Sequence, residues 1–514
     1  MKINGSNNDD DNYSKSTPNP WKILAILSII STMVLYAETM LIPAIPHLIR
    51  DFGITYSTSS WILSSYLIAG AISVPIAGKL SDLYGRKKVL LIIMVIYTIG
   101  VFGGSISTNI YSMIIFRTIQ GIGMSVFPIV FAIVQDQFPR EKISIAQGTL
   151  ASMFAFGGVI GLLAGGYIIE YFGWKVTFYS VIPISISLII IIKKYIRIKE
   201  QSKSIKNNPL ISDDIKKNQQ DIKHPGFASK LDIKGIIFLA ISIISFLSLL
   251  TLISSFENAS SNTEFLSPLF IMLCIICITS LCIFIFVEKR SSLPLVDLKL
   301  ISRNPIWITN IVVIIWGICT FSIFQTIPVL IQNPGPFGIG GTAIDAANIQ
   351  LPFSISSFVF GPTGGWIISK IGSTKVIKIG AIILTIGLIG LFIFHDNALN
   401  LAENLAIVGV GLALLNVGQL NITTSSVPVH YIGVSLGINT LLRYIGSAIG
   451  PAIAGMILQY NLKLTQETGI GIKALPSKEA YGFIFLFILI LAIVTIILSM
   501  LIKKPHKDIF KQVR

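Results

Sequence analysis

Three ionisable side chains stand in the middle of long apolar runs: Glu38 in VLYAETMLIPAIP, Arg117 in MIIFRTIQGIG and Arg443 in INTLLRYIGSAIG. A charge at membrane depth costs several kcal/mol unless it is paired or hydrated, so each is a functional candidate by default. Glu38 has the most chemistry to offer. A carboxylate in a low-dielectric cavity can take a proton from one side and release it to the other when a second ligand arrives or the cavity reorients. It can also attract a cation, and one group serving two competing ligands is what exchange of a proton for a cation requires. A Glu held permanently by a buried Arg would be structural instead. Arg443 can act as the second-half counterpart of Arg117 or as the binding charge for an anionic group. Around these charges Gln120, Gln325, Asn416, Gln419 and Asn421 are amides at membrane depth, and Phe156, Trp316, Phe321 and Phe324 are large apolar surfaces. A lipophilic compound suits such a wall, and the same side chains at lipid or helix faces are ordinary packing.

Other chemistries lack their residues. The five histidines are scattered, with no paired ligands or nucleophile motif, so an enzyme is not expected. Cys274, Cys277, Cys282 and Cys319 fall in apolar runs with no histidine near the Cys274-x-x-Cys277 pair, and they read as small hydrophobes. No G-x-x-x-x-G-K-[ST] loop is present, so ATP is not the direct energy source. No cofactor or metal is expected.

The elements that must position these residues are membrane helices. The chain has 514 residues, is 53% hydrophobic and 12% charged, and has a mean hydropathy of +0.78, which leaves its apolar surface nowhere aqueous to go. It reads as an all-α polytopic membrane protein with the lipid bilayer as its partner. The net charge of +15 is spread through short segments between apolar runs, which fits positive-inside bias and not nucleic-acid binding. Fourteen runs are long enough to span. The division is a disordered cytoplasmic tail over 1–21, a six-helix bundle over 22–196, a basic cytoplasmic loop over 197–231, two inserted helices with their following loop over 232–303, a second six-helix bundle over 304–502 and a basic tail over 503–514. The even count puts both termini on one side, and about 32 of the 39 Lys and Arg lie on that side, which makes it cytoplasmic. The first apolar run follows a polar stretch and is long enough to be a retained helix and not a cleaved signal.

Between the second and third runs lies GKLSDLYGRKK, Gly78 to Lys88. Gly78 and Gly85 allow helix ends to approach and the backbone to turn, and Asp82 and Arg86 are four apart. The spacing recurs as Gly365 to Gly372 in GWIISKIGSTK, 287 residues on. A second pair recurs at nearly the same offset. GGVIGLLAGG, with Gly157, Gly161, Gly165 and Gly166, is echoed 289 residues later by GSAIGPAIAG, with Gly446, Gly450 and Gly455. An internal repeat of six helices is therefore present, and the seventh and eighth helices lie between its copies.

The Gly78 turn resembles the signature loop G-x-L-x-D-x-x-G-R-K of the major facilitator superfamily, with every fixed position present. Trp61, Tyr66 and Pro75, the run Arg117-x-x-Gln120-Gly121-x-Gly123, Gly173-Trp174 with Pro183, Glu288-x-Arg290-x-x-x-Pro294, and Arg443-x-x-Gly446-x-x-x-Gly450 resemble the fourteen-helix drug:proton antiporters of that superfamily. The resemblance implies two six-helix bundles with an inserted pair, rocking about a central site in a monomer. It implies a small-molecule substrate exported against protons. Arg117 then influences proton transfer or anchors its helix, and glycines 157, 161, 165, 166, 446 and 450 pack the interface between halves. Gly78, Asp82, Gly85, Arg86 and Asp136 then form a cytoplasmic gate, with Arg86 paired to Asp136 and Asp82 facing a second-half helix end. The chain departs from the pattern in three places. Ala37 stands where the family's first-helix Asp belongs, leaving Glu38 about 100° round the helix; Leu162 replaces a Pro; and Ser369 replaces Asp82 in the second copy. Exporters or importers of a single metabolite, and a non-transporting sensor on the same fold, are the alternatives.

Overall fold

The computed structural model describes residues 20–196, 233–253, 267–290, 304–427, 432–467 and 471–502. The expected tails, the basic loop and Pro294 lie outside the described residues. Fourteen helical rods are present among them. The first six are α1 (Pro20–Phe52), α2 (Tyr56–Tyr84), α3 (Arg86–Ser105), α4 (Ile110–Gln137), α5 (Arg140–Phe172) and α6 (Trp174–Tyr195). The pair α7 (Ile233–Ile253) and α8 (Pro268–Arg290) follows. Then come α9 (Ile306–Gln332), α10 (Ala343–Ile371), α11 (Ser373–Ile393), α12 (Ala398–Ser425), α13 (Ile432–Tyr460) and α14 (Lys478–Met500). Twelve are long and apolar enough to cross a membrane. The exceptions are α7, whose apolar part Ile237–Ile253 is short, and α10, which carries Asp345, Asn348, Gln350 and four serines.

Two helices are broken where their sequence demands it. Pro43 and Pro46 cannot donate a backbone hydrogen bond, and α1 tightens into a 3-10 turn at Ile42–Ala44 before resuming at Ile45. Glu38 therefore ends an interrupted rod. Likewise α4 passes through a 3-10 turn at Ile122–Ser125. The repeat is visible in the backbone: Gly85 and Gly372 turn their chains at φ +90° and +86°, where a side chain would be strained.

The packing follows the repeat as well. α1 packs on α5 as α9 packs on α13, and the two bundles meet along α2 with α13 and α5 with α10. α7 lies against both α2 and α13, with Trp61 Nε1 donating to Thr251 Oγ1 at 2.9 Å, and α8 packs on α7. A two-stranded antiparallel hairpin, Leu462–Glu467 with Gly471–Pro476, joins α13 to α14.

Candidate functional site between the bundles

Glu38 stands just before the break in α1 and is 4% exposed, with Oε2 lacking a hydrogen-bond partner among the described residues. The neighbouring Thr39 Oγ1 donates to Gly158 O on α5 at 3.1 Å, which fastens the rod one residue from the carboxylate. The charges acting on Glu38 are Arg443 from the other bundle and then Arg117 from its own. The structure thus brings together three residues lying far apart in sequence. No ion pair joins Glu38 to either arginine among the described residues.

Arg117 is fully buried. Its Nε donates to Ile62 O at 3.1 Å, Nη1 donates to Gln120 Oε1 at 2.9 Å, and the guanidinium carbon lies 4.2 Å from the Tyr66 ring centroid. Gly121 and Gly123 make this possible, because a Cβ on either would strike Tyr66 or Tyr97. Arg117 is consequently anchored on three sides, with Nη2 left over. Arg443 is held more loosely, 5.0 Å from the Tyr444 ring and 5.9 Å from the Trp316 ring. It stands on α13, the copy of α5, whereas α12 is the copy of α4. It is not the repeat counterpart of Arg117.

Tyr66, Tyr97 and Tyr444 are buried close enough to Glu38 for its charge to act on them, with the Tyr97 hydroxyl beside Gln120 and the Tyr444 hydroxyl beside Arg443. Sequence reasoning missed Tyr97 and Tyr444. Their signal was a phenol hydroxyl in the middle of an apolar span.

The amides make hydrogen bonds in three separate places. Gln120 is committed to Arg117. Gln325 Nε2 donates to Ser59 Oγ at 2.9 Å across the bundles. Gln419 exchanges hydrogen bonds with Asn439 on α13, the shorter from Asn439 Nδ2 at 2.7 Å, and also donates to Asn416 at 3.3 Å. Among the aromatics, Phe321, Phe324 and Phe353 form a run of edge contacts joining α9 to α10, and Phe156 faces Phe358 across α5 and α10 at 6.1 Å.

The glycine helices need a correction. Cβ atoms on Gly157, Gly161 and Gly165 would strike the α1 backbone at Thr32, Tyr36 and Met40, and those on Gly446 and Gly450 would strike α9 at Ile314 and Ile318. These contacts lie inside each bundle and not between halves. Among the described glycines of these helices, Gly166, against Ala343 and Ala347, and Gly455, against Tyr56 and Ser57, are the ones that reach across.

The ion pair expected in the gate forms, inside one bundle. Arg86 pairs with Asp136 and donates to Ala132 O, tying the start of α3 to the end of α4 within one bundle. The Asp82 side chain lies outside the described residues. Gly85 makes the turn, but nothing approaches Gly78: a Cβ there would meet no atom within 4 Å. The same holds for Gly148, Gly361, Gly365 and Gly437, which lie towards that end of α5, α10 and α13. Cross-bundle hydrogen bonds gather at the opposite end. Ser64 Oγ donates to Ala448 O at 2.7 Å and Gln332 Nε2 donates to Pro43 O at 2.8 Å. Among the described residues the bundles are joined at the end carrying the α1–α2 connection, and no hydrogen bond crosses between them at the end carrying the Gly78 turn, so the first is the closed end.

The family model described as Major Facilitator Superfamily matches residues 27–290 and 268–451. Multidrug transporter protein MdtP of Bacillus subtilis is 25% identical over 475 residues, covering 91% of this chain and 81% of that protein. Multidrug resistance protein 3 of the same organism is 27% identical over 428 residues, covering 82% and 76%. Among solved structures, the xylose transporter XylE from E. coli superposes with a TM-score of 0.60 at 12% identity, covering 95% of this chain and 97% of that one, which is a likeness of fold. A repeated six-helix bundle, the signature turn and a matching family model over most of the length place this multi-pass membrane protein, a transporter and not an enzyme, in the major facilitator superfamily.

Proposed function

We propose that the protein is a proton-coupled secondary transporter of the plasma membrane. It exports lipophilic or cationic compounds by alternating access, as a monomer with fourteen spans and no cofactor, driven by the proton gradient. The observation that carries this is Glu38, a buried carboxylate without an ion pair, placed where the two bundles meet and facing a cation from each. Such a group can be exchanged between a proton and a cationic substrate as the site changes sides. The multidrug names of the relatives support the substrate class. The charge distribution puts the termini and the Gly78 turn in the cytoplasm, so the conformation described is closed to the outside and open to the cytoplasm. The Arg86–Asp136 pair then belongs to the cytoplasmic gate, waiting for that end to shut. A second reading rests on Arg443, half-buried with no carboxylate partner among the described residues. It favours an anionic metabolite over a cationic drug.

The test is proton flux in liposomes containing the purified protein under an imposed pH gradient, with lipophilic cations added singly. Wild type discharges the gradient on addition of a transported cation, and Glu38→Gln binds the compound without moving protons. Normal coupling in Glu38→Gln would remove Glu38 from the mechanism, and discharge by weak acids but not cations would move the anionic reading ahead.

A further inference from the structure

Helices α2 and α10 begin alike, 287 residues apart. Thr55 caps the first through Thr58 N at 3.0 Å, and Thr342 caps the second through Asp345 N at 3.2 Å. A helix leaves its first four N–H groups without intrahelical partners, and a threonine cap of this kind satisfies the third residue's. The first residue's N–H is among those that remain. In both helices it is taken by a side chain of the opposite bundle: Ala343 N donates to Glu170 Oε2 at 3.0 Å, and Tyr56 N donates to Gln459 Oε1 at 3.1 Å.

The two acceptors occupy equivalent places. Each follows by four residues the glycine that touches the same helix start, in Gly166-Tyr-Ile-Ile-Glu170 and Gly455-Met-Ile-Leu-Gln459, and the two segments are 289 residues apart. A Cβ on Gly166 would come within 3.0 Å of Ala343 O, and one on Gly455 within 2.8 Å of Tyr56 O. The glycine brings the helices together, and the side chain one turn on then reaches the exposed N–H.

We propose that Glu170 and Gln459 are a repeat-related pair of trans caps that set how readily the closed end of the transporter opens. Each bundle completes a helix start of the other only while this end is shut. Opening returns both N–H groups to water. Glu170 makes the stronger bond of the two, because its charge assists the hydrogen bond and lies at a helix N-terminus. The proposal rests on the alternating-access part of the function above and on neither the substrate nor the proton site.

The experiment measures the rate at which a hydrophilic maleimide modifies Ser57→Cys, in purified full-length protein whose four native cysteines are replaced by alanine. Ser57 is 1% exposed at the closed end, so the rate follows the open population. Removing an acceptor is expected to raise that rate about tenfold in Glu170→Ala and about fivefold in Gln459→Ala, the loss of one charged and one neutral hydrogen bond. The double variant gives about the product, and Glu170→Gln, which keeps an acceptor oxygen, stays within about twofold of the parent. Ser185→Cys, buried inside the first bundle, serves as the control and stays unreactive throughout. Unchanged rates in both alanine variants overturn the proposal. So does a Glu170→Gln protein that behaves like Glu170→Ala, or an equal rise at Ser57→Cys and Ser185→Cys, which means general loosening. Since no substrate or proton gradient is used, failure here leaves the role of Glu38 to be judged by its own test.

Discussion

Adding one methyl group to Gly161 and one to Gly148, both on α5, should have opposite effects. At Gly161 the new Cβ would strike the Thr39 hydroxyl and Tyr36 O and lie 2.8 Å from Tyr36 Cα, where ordinary contacts start near 3.4 Å. The obstacles are mostly backbone, so α1 must move away by several tenths of an ångström. Overpacking of this kind costs about 1–3 kcal/mol, and straining the Thr39 to Gly158 hydrogen bond adds about 1 kcal/mol. At Gly148 nothing lies within 4 Å and the position is exposed. Alanine there only restricts the unfolded backbone and improves helix propensity, a gain of about 0.5–1 kcal/mol. For a unit the size of one bundle, 1 kcal/mol corresponds to about 2–4 °C. Gly161→Ala should therefore melt roughly 4–16 °C below the parent and Gly148→Ala slightly above it, by tryptophan emission during heating in detergent. Equal melting of the two variants would refute the reasoning, since it rests wholly on the backbone of α1 lying against one glycine and not the other.

Other consequences follow from single side chains. Gln419→Leu strands the buried Asn439 amide and should destabilise by about 1–3 kcal/mol, whereas the double change Gln419→Leu with Asn439→Leu should cost less than the single one; additive losses in thermal melting would contradict the pairing. Arg117→Lys should not restore the function lost in Arg117→Met, because an ammonium on a single stem cannot reproduce a planar fork bonded to Ile62 O and Gln120 while stacked on Tyr66; proteoliposome flux decides it. Asp136→Asn should lower stability by less than about 1 kcal/mol because the pair with Arg86 is partly exposed, and a large drop in melting temperature would mean the pair holds the bundle together.

Much of the architecture is legible in the sequence for a simple physical reason. Apolar runs can only be satisfied in lipid as helices, and a duplicated chain repeats its glycines wherever two backbones must touch. Gly85 and Gly372 keep the same turn because no other residue adopts φ near +90° without strain. The charges at membrane depth also announce themselves, since Glu38, Arg117 and Arg443 are too costly there to lack a purpose.

Which surfaces those residues meet is a matter of rotation about each helix axis, and composition does not encode it. Gly157 and Gly166 look alike in a run of glycines, yet the first touches α1 and the second touches α10. Gln325 and Gln419 are both buried amides, but one bonds across the bundles and the other within one. Glu170 and Gln459 read as ordinary polar residues at helix ends until the fold sets each against a helix start more than one hundred and fifty residues away. Sequence alone determined the helices, their repeat and the rare charges, because lipid leaves an apolar chain few choices. Tertiary structure decided which partners those groups find and which end is closed, because both depend on how whole bundles dock and not on any local preference.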